Sequence, residues 1–153
     1  MDGLSGAASI IAVLDLCAKL ALLCSKYYND VKNARGDISK LCQEVQTLHD
    51  VSSSVQQLLN GPQGARFEAA QQFCLVINDS QSRLQELYQK LCPPTGRHDM
   101  RRLGLHALKW PLESKDIEKA IRDLGRCTQL MHLALQVDET YAPTSLDYAK
   151  DKC

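Results

Sequence analysis

Aromatic residues are scarce in this chain, with one Trp, two Phe and five Tyr. β-branched residues do not gather into alternating runs either, which argues against strands and for helices packed through Leu, Ile, Val and Ala. A surplus of one charge is also missing: 18 basic residues balance 18 acidic ones, so no overall field steers the chain to nucleic acid. No Cys-x-x-Cys pair occurs among the seven cysteines, Cys17, Cys24, Cys42, Cys74, Cys92, Cys127 and Cys153. Their number is odd, and most fall on or beside apolar helical positions, where a reduced cysteine behaves as a small hydrophobe. That pattern excludes a secreted disulfide scaffold and points to a reducing, cytosolic compartment. A secretory signal is not expected, because Asp2 stands where a basic n-region would and the apolar run lacks a convincing cleavage site. Asp2 also removes the Met-Gly start that myristoylation requires.

Signatures of catalysis are missing too. His49, His98, His106 and His132 are scattered, with no HExxH and no Cys/His ligand spacing. No GxSxG, GxGxxG or Walker sequence occurs, and the Glu-x-x-His pair of diiron bundles is not found. Glu44, Glu68, Glu86 and Glu118 read as exposed helix faces. No catalytic, cofactor-binding or metal-ligating residue is therefore assigned, and an enzyme is not expected.

What the chain does have is an apolar start. From Leu4 to Cys24 only Asp15 and Lys19 carry charge, and their spacing lets them pair on one helical face. Some 20 apolar residues suffice to cross a bilayer. At about 100° per residue, Ser5, Ser9, Ala12, Asp15, Lys19, Leu22 and Lys26 share one sector. Ile10, Ile11, Val13, Leu14, Leu16, Leu20 and Leu23 spread over the rest. In a generic bundle this sector is the solvent-facing seam of a core helix. Alternatively, several copies line a narrow polar channel with it and turn the remaining face to lipid. Burial of the seven aliphatic residues stabilises by about 10–20 kcal/mol as an upper bound. Lipid or a new oligomer interface returns a similar amount, because hydrocarbon solvates leucine as well as a core does. A lone spanning helix is disfavoured, since Asp15 and Lys19 would each cost about 3 kcal/mol near mid-span.

Further helices follow at regular intervals. One carries Ile38, Leu41, Val45, Leu48, Val55 and Leu59, interrupted by Ser52, and stops at Asn60-Gly61-Pro62. Another aligns Phe67, Ala70, Cys74, Ile77, Leu84, Tyr88 and Leu91 and ends at Pro93-Pro94. The last has Ser114 as expected N-cap and a stripe of Ile117, Ile121, Leu124, Cys127, Met131 and Ala134. Between these two lies a basic segment, RHDMRRLGLHALKW, expected as a short helix before Pro111. Its Arg97, Arg101, Arg102, Lys109 and Trp110 form a candidate lipid-headgroup patch, with His98 and His106 among them. The competing reading is a solvated loop whose Leu103, Leu108 and Trp110 close the end of the bundle. The architecture expected is all-α: an up-and-down four-helix bundle with an additional short helix and a mostly apolar N-terminal helix as its most buried element. It spans residues 1–138, residues 1–28 being the apolar helix, and 139–153 form a linker.

Three segments, MDGLSGAASIIAVLDLCAKL, YYNDVKNARGDISKLCQEVQTLHDVSSSVQQLL and LKWPLESKDIEKAIRDLGRCTQLMHLAL, resemble the HeLo-like N-terminal domain of fungal STAND (NLR-type) proteins. That family is related to the HET-S HeLo domain and to the four-helix domain of the mixed-lineage kinase-like pseudokinase. The resemblance implies a cell-death module of heterokaryon incompatibility and fungal immunity. It would be cytoplasmic at rest and would assemble with its own copies on activation. Leu4 through Cys24 would then meet anionic lipids of the plasma membrane, under control of a downstream nucleotide-binding or other module. Against this stands a non-lytic adaptor, in which the first helix is permanent core and the basic patch binds an acidic protein surface.

Overall fold

The computed structural model describes residues 6–62, 71–92 and 110–151, with side chains placed for 8–62, 74–92 and 110–136. The described residues form four helices and no strand: α1 (Gly6–Asp30), α2 (Arg35–Asn60), α3 (Gln71–Leu91) and α4 (Ser114–Asp151). The protein is an all-α helical bundle with an apolar N-terminal helix. The expected short helix, together with Leu4, Ser5, Phe67 and Ala70, lies outside the described residues.

Each helix begins and ends for a local reason. The α1–α2 turn is short, and Arg35 ties it by donating from Nε to the Tyr28 carbonyl at 3.1 Å. The Arg35 guanidinium also lies 5.2 Å from the centre of the Tyr28 ring, a cation–π contact. α2 stops where the Gly61 N–H turns back to the Leu58 carbonyl at 3.1 Å and Pro62 follows. At the start of α4 the N-cap is Glu113, not Ser114. The Asp116 carboxylate accepts the Glu113 N–H at 3.2 Å, and the Glu113 carbonyl accepts the Ile117 N–H at 3.0 Å. This is the backward half of a capping box, and it shifts the cap by one residue because Asp116 is three positions after Glu113. α4 also runs on to Asp151, through Pro143, where a linker is expected. Loss of the apolar period after Val137 removes a reason to pack, not the capacity of the backbone to stay helical.

Helices successive along the chain alternate in direction, while two of the pairs that pack side by side run parallel. Ser9 meets Asn78 and Tyr27 meets Leu91, so α1 and α3 run parallel. Ser52 meets Met131 and Glu44 approaches Gly125, so α2 and α4 also run parallel. Arg83 pairs with Asp123 across antiparallel α3 and α4. α1 packs on α2 and α3, and α4 packs on the same two, which leaves α1 and α4 across a diagonal. With every helix at a corner, none is central. α1 is therefore no more buried than α2: it contributes Ile10, Val13, Leu16, Cys17, Leu20, Cys24 and Tyr27 to the core, and α2 also contributes seven apolar residues, with Ser52 buried beside them.

The core is aliphatic and its few polar members are satisfied. Ser80 and Thr128 donate to the carbonyls of Val76 (2.8 Å) and Leu124 (3.0 Å) one turn back. Ser52, the interruption in the α2 stripe, is fully buried with its hydroxyl 3.5 Å from Met131 Sδ.

Candidate functional site

α1 has a buried apolar face and an outward face that mixes charged with aliphatic residues. Ile10, Val13, Leu16 and Leu20 are buried, and Leu14 and Leu23 lie half-exposed at the edges. Opposite them, Asp15, Lys19, Leu22 (67% exposed) and Lys26 face solvent as expected, but so do Ile11 (56%) and Ala18, from outside that sector. The outward face is rotated by roughly 60° from the sector read off the wheel, at about 100° per residue. The cause is the position of α3. Ser9, expected on the polar stripe, sits at the α1–α3 edge and donates to Asn78 Oδ1 at 3.0 Å. Ile11 takes the outward place instead.

Asp15 and Lys19 form the expected ion pair at 3.0 Å, with both side chains more than half exposed. At such exposure the pair adds little to stability. Its effect is to keep a charge couple in the middle of an otherwise apolar surface.

One end of the bundle is closed by a small cluster that periodicity alone does not single out. The buried Tyr27 hydroxyl donates to the Leu91 carbonyl at 2.6 Å, at the last turn of α3. Trp110 meets the Tyr27 ring edge-on, with centroids 5.0 Å apart and planes at 80°. Trp110 is thus packed against the core, with its indole nitrogen buried and unpaired among the described residues. Leu103 and Leu108, expected beside Trp110 at the end of the bundle, lie outside the described residues. Arg97, Arg101, Arg102 and Lys109 lie outside the described residues. Tyr27 does lie three residues after Cys24 and seven after Leu20, on one helical face, but that spacing does not reveal its partners Leu91 and Trp110.

The six described cysteines form no disulfide. Cys17, Cys24 and Cys127 are buried, and burial raises the Cys127 thiol above its ordinary value. Between α3 and α4 a shallow groove of about 30 Å³ lies over Leu87, Leu112 and Leu124, rimmed by Arg83, Lys90, Asp116 and Asp123. It holds roughly one water molecule, too little for a substrate. Among the described residues no three His, Cys, Asp or Glu side chains gather where they could share a metal ion.

α1 is the described helix long and apolar enough to cross a membrane, judged by length and composition over Ala8–Asp30. Only 33% of its most apolar window is buried in the bundle. No family model matches the chain, and neither a curated protein nor a solved structure does so. What the molecule can do is therefore argued from the two-faced helix itself.

Proposed function

We propose that this chain is a non-enzymatic signalling and execution module of programmed cell death, which assembles with its own copies and delivers α1 to a membrane. The observation that carries the proposal is the outward face of α1. A large aliphatic side chain gains by leaving water for a core or for lipid, yet α1 stands at a corner of the bundle with Ile11 and Leu22 in water beside Asp15, Lys19 and Lys26. Packing at rest accounts for its inner face only. The outer face fits a second environment, and the resemblance of the chain's three segments to HeLo-like domains supports lipid as that environment.

The energetics allow the exchange. Seven α1 residues leave the core, at about 1.5–3 kcal/mol for each large aliphatic one. A bilayer solvates those same side chains, and it also takes up Ile11 and Leu22. Asp15 and Lys19 oppose entry of a single helix by about 3 kcal/mol each. Several copies that turn these charges toward one another or toward water remove most of that cost, so assembly precedes entry. In this proposal the protein is cytoplasmic at rest and moves to the plasma membrane on activation. Anionic lipids help through Arg97, Arg101, Arg102 and Lys109, at about 1 kcal/mol per basic residue, and a downstream module of the same protein supplies the trigger.

The test is dye release from anionic liposomes, with residues 1–153 fused to an inducible oligomeriser. Leakage on induction, and none before it, is the expected result. Ile11→Glu should abolish it while leaving the fold intact, because Ile11 is exposed at rest. Asp15→Ala with Lys19→Ala should alter leakage if the pair lines a polar lumen, and unchanged leakage removes the lumen. Tight liposomes with oligomers verified in the same sample would reject lysis. They would favour the adaptor reading, whose own support is the complete burial of Ile10, Val13 and Leu20.

A further inference from the structure

The outward face of α1 has an internal symmetry. Ile11, Asp15, Ala18 and Leu22 follow one another at steps of four, three and four, so they form a single seam along the helix, with Lys19 beside it. All five are exposed. The seam begins and ends on a large aliphatic residue, with Asp15 and Ala18 between them and Lys19 flanking Ala18. Its midpoint falls between residues 16 and 17.

We propose that a second copy of this chain docks here, with the two α1 helices antiparallel about a two-fold axis through that midpoint. Each Ile11 then lies against Leu22 of the other copy, and each Asp15 lies beside the other copy's Ala18 and Lys19. Such a contact is isologous, as a closed dimer requires. The layers beyond it set Ala8 against Ser25, small against small. The opposite choice, parallel and in register, sets Asp15 on Asp15 and Lys19 on Lys19, and like charges reject it. The Asp15–Lys19 pair already present at 3.0 Å in each helix becomes half of a four-charge cluster. Exposed ion pairs add little affinity, so the aliphatic ends supply the attraction and the charges fix the orientation.

The dimer covers the same face that the membrane reading assigns to lipid, and thereby holds that face in reserve at rest. It does not depend on that reading, because its test contains no lipid. Sedimentation equilibrium of the whole chain over a concentration series should show a monomer–dimer equilibrium. Asp15→Lys should weaken the dimer about tenfold or more, and adding Lys19→Asp to it should restore the original affinity by exchanging the two signs. Leu22→Glu should yield monomer with an unchanged helical signal and unfolding midpoint. A chain monomeric at every concentration would overturn the proposal. So would a dimer indifferent to Leu22→Glu and Asp15→Lys, or a doubly exchanged variant no tighter than the single one.

Discussion

Gly125 lies inside α4, where a Cβ would come within 3.1 Å of Glu44 Oε1 and 3.9 Å of its Cδ, with no backbone that close. Interior glycine costs about 0.5–1 kcal/mol relative to alanine, and a carboxylate at the end of a flexible side chain can swing aside. Gly125→Ala is therefore expected to raise stability by about 0.5 kcal/mol, read as a higher urea midpoint at unchanged slope. A lower midpoint would mean that α2 and α4 need the gap. Cys127 makes a prediction of the other kind. Burial holds its thiol above the ordinary 9.0. Because the folded value exceeds the unfolded one, the stabilisation is complete below pH 9 and is lost as pH rises above it. Cys127→Ala should make the fall in unfolding free energy above pH 9 shallower. An equally steep fall would assign that loss to other groups.

Adjacent residues of α1 separate packing from patterning. Ile10 is fully buried and Ile11 is 56% exposed. Ile10→Ala should cost about 2–5 kcal/mol by leaving a cavity, and Ile11→Ala should stay within about 0.5 kcal/mol. Equal losses in the two variants, measured by urea unfolding, would contradict the orientation of α1. The elements themselves were legible in the sequence. The stripe from Ile38 to Leu59 and the stop at Gly61-Pro62 place α2 almost to the residue, because period and punctuation agree. The helix wheel placed Asp15, Lys19 and Lys26 correctly in water, but it could not place Ser9 or Ile11. A wheel shows where polarity lies on one helix, whereas α3, which draws Ser9 to Asn78, decides which edge is covered. The rank of α1 in the core was illegible for a similar reason: apolar content does not reveal that each helix occupies a corner. The α4 cap lies one residue earlier than Ser114, at Glu113, whose N–H the Asp116 carboxylate accepts from three residues on. Past Val137 the apolar pattern ends but α4 continues to Asp151, through Pro143, so the end of the pattern does not mark the end of the helix.

Across the whole molecule, α1 is tied to the bundle from two sides, by α2 and α3, and its far end is closed by Tyr27, Leu91 and Trp110. α4 packs on both α2 and α3, so those two helices keep a shared neighbour besides α1. The proposed function requires that α1 open separately from the other three helices. Native-state hydrogen exchange tests this most directly. The amides of Ile10 to Leu23 should exchange through an opening that costs less than global unfolding, while those of Leu41 to Val55 wait for the global event. If α1 amides prove as protected as those of α2, so that both exchange only when the whole protein unfolds, α1 is permanent core and the account fails.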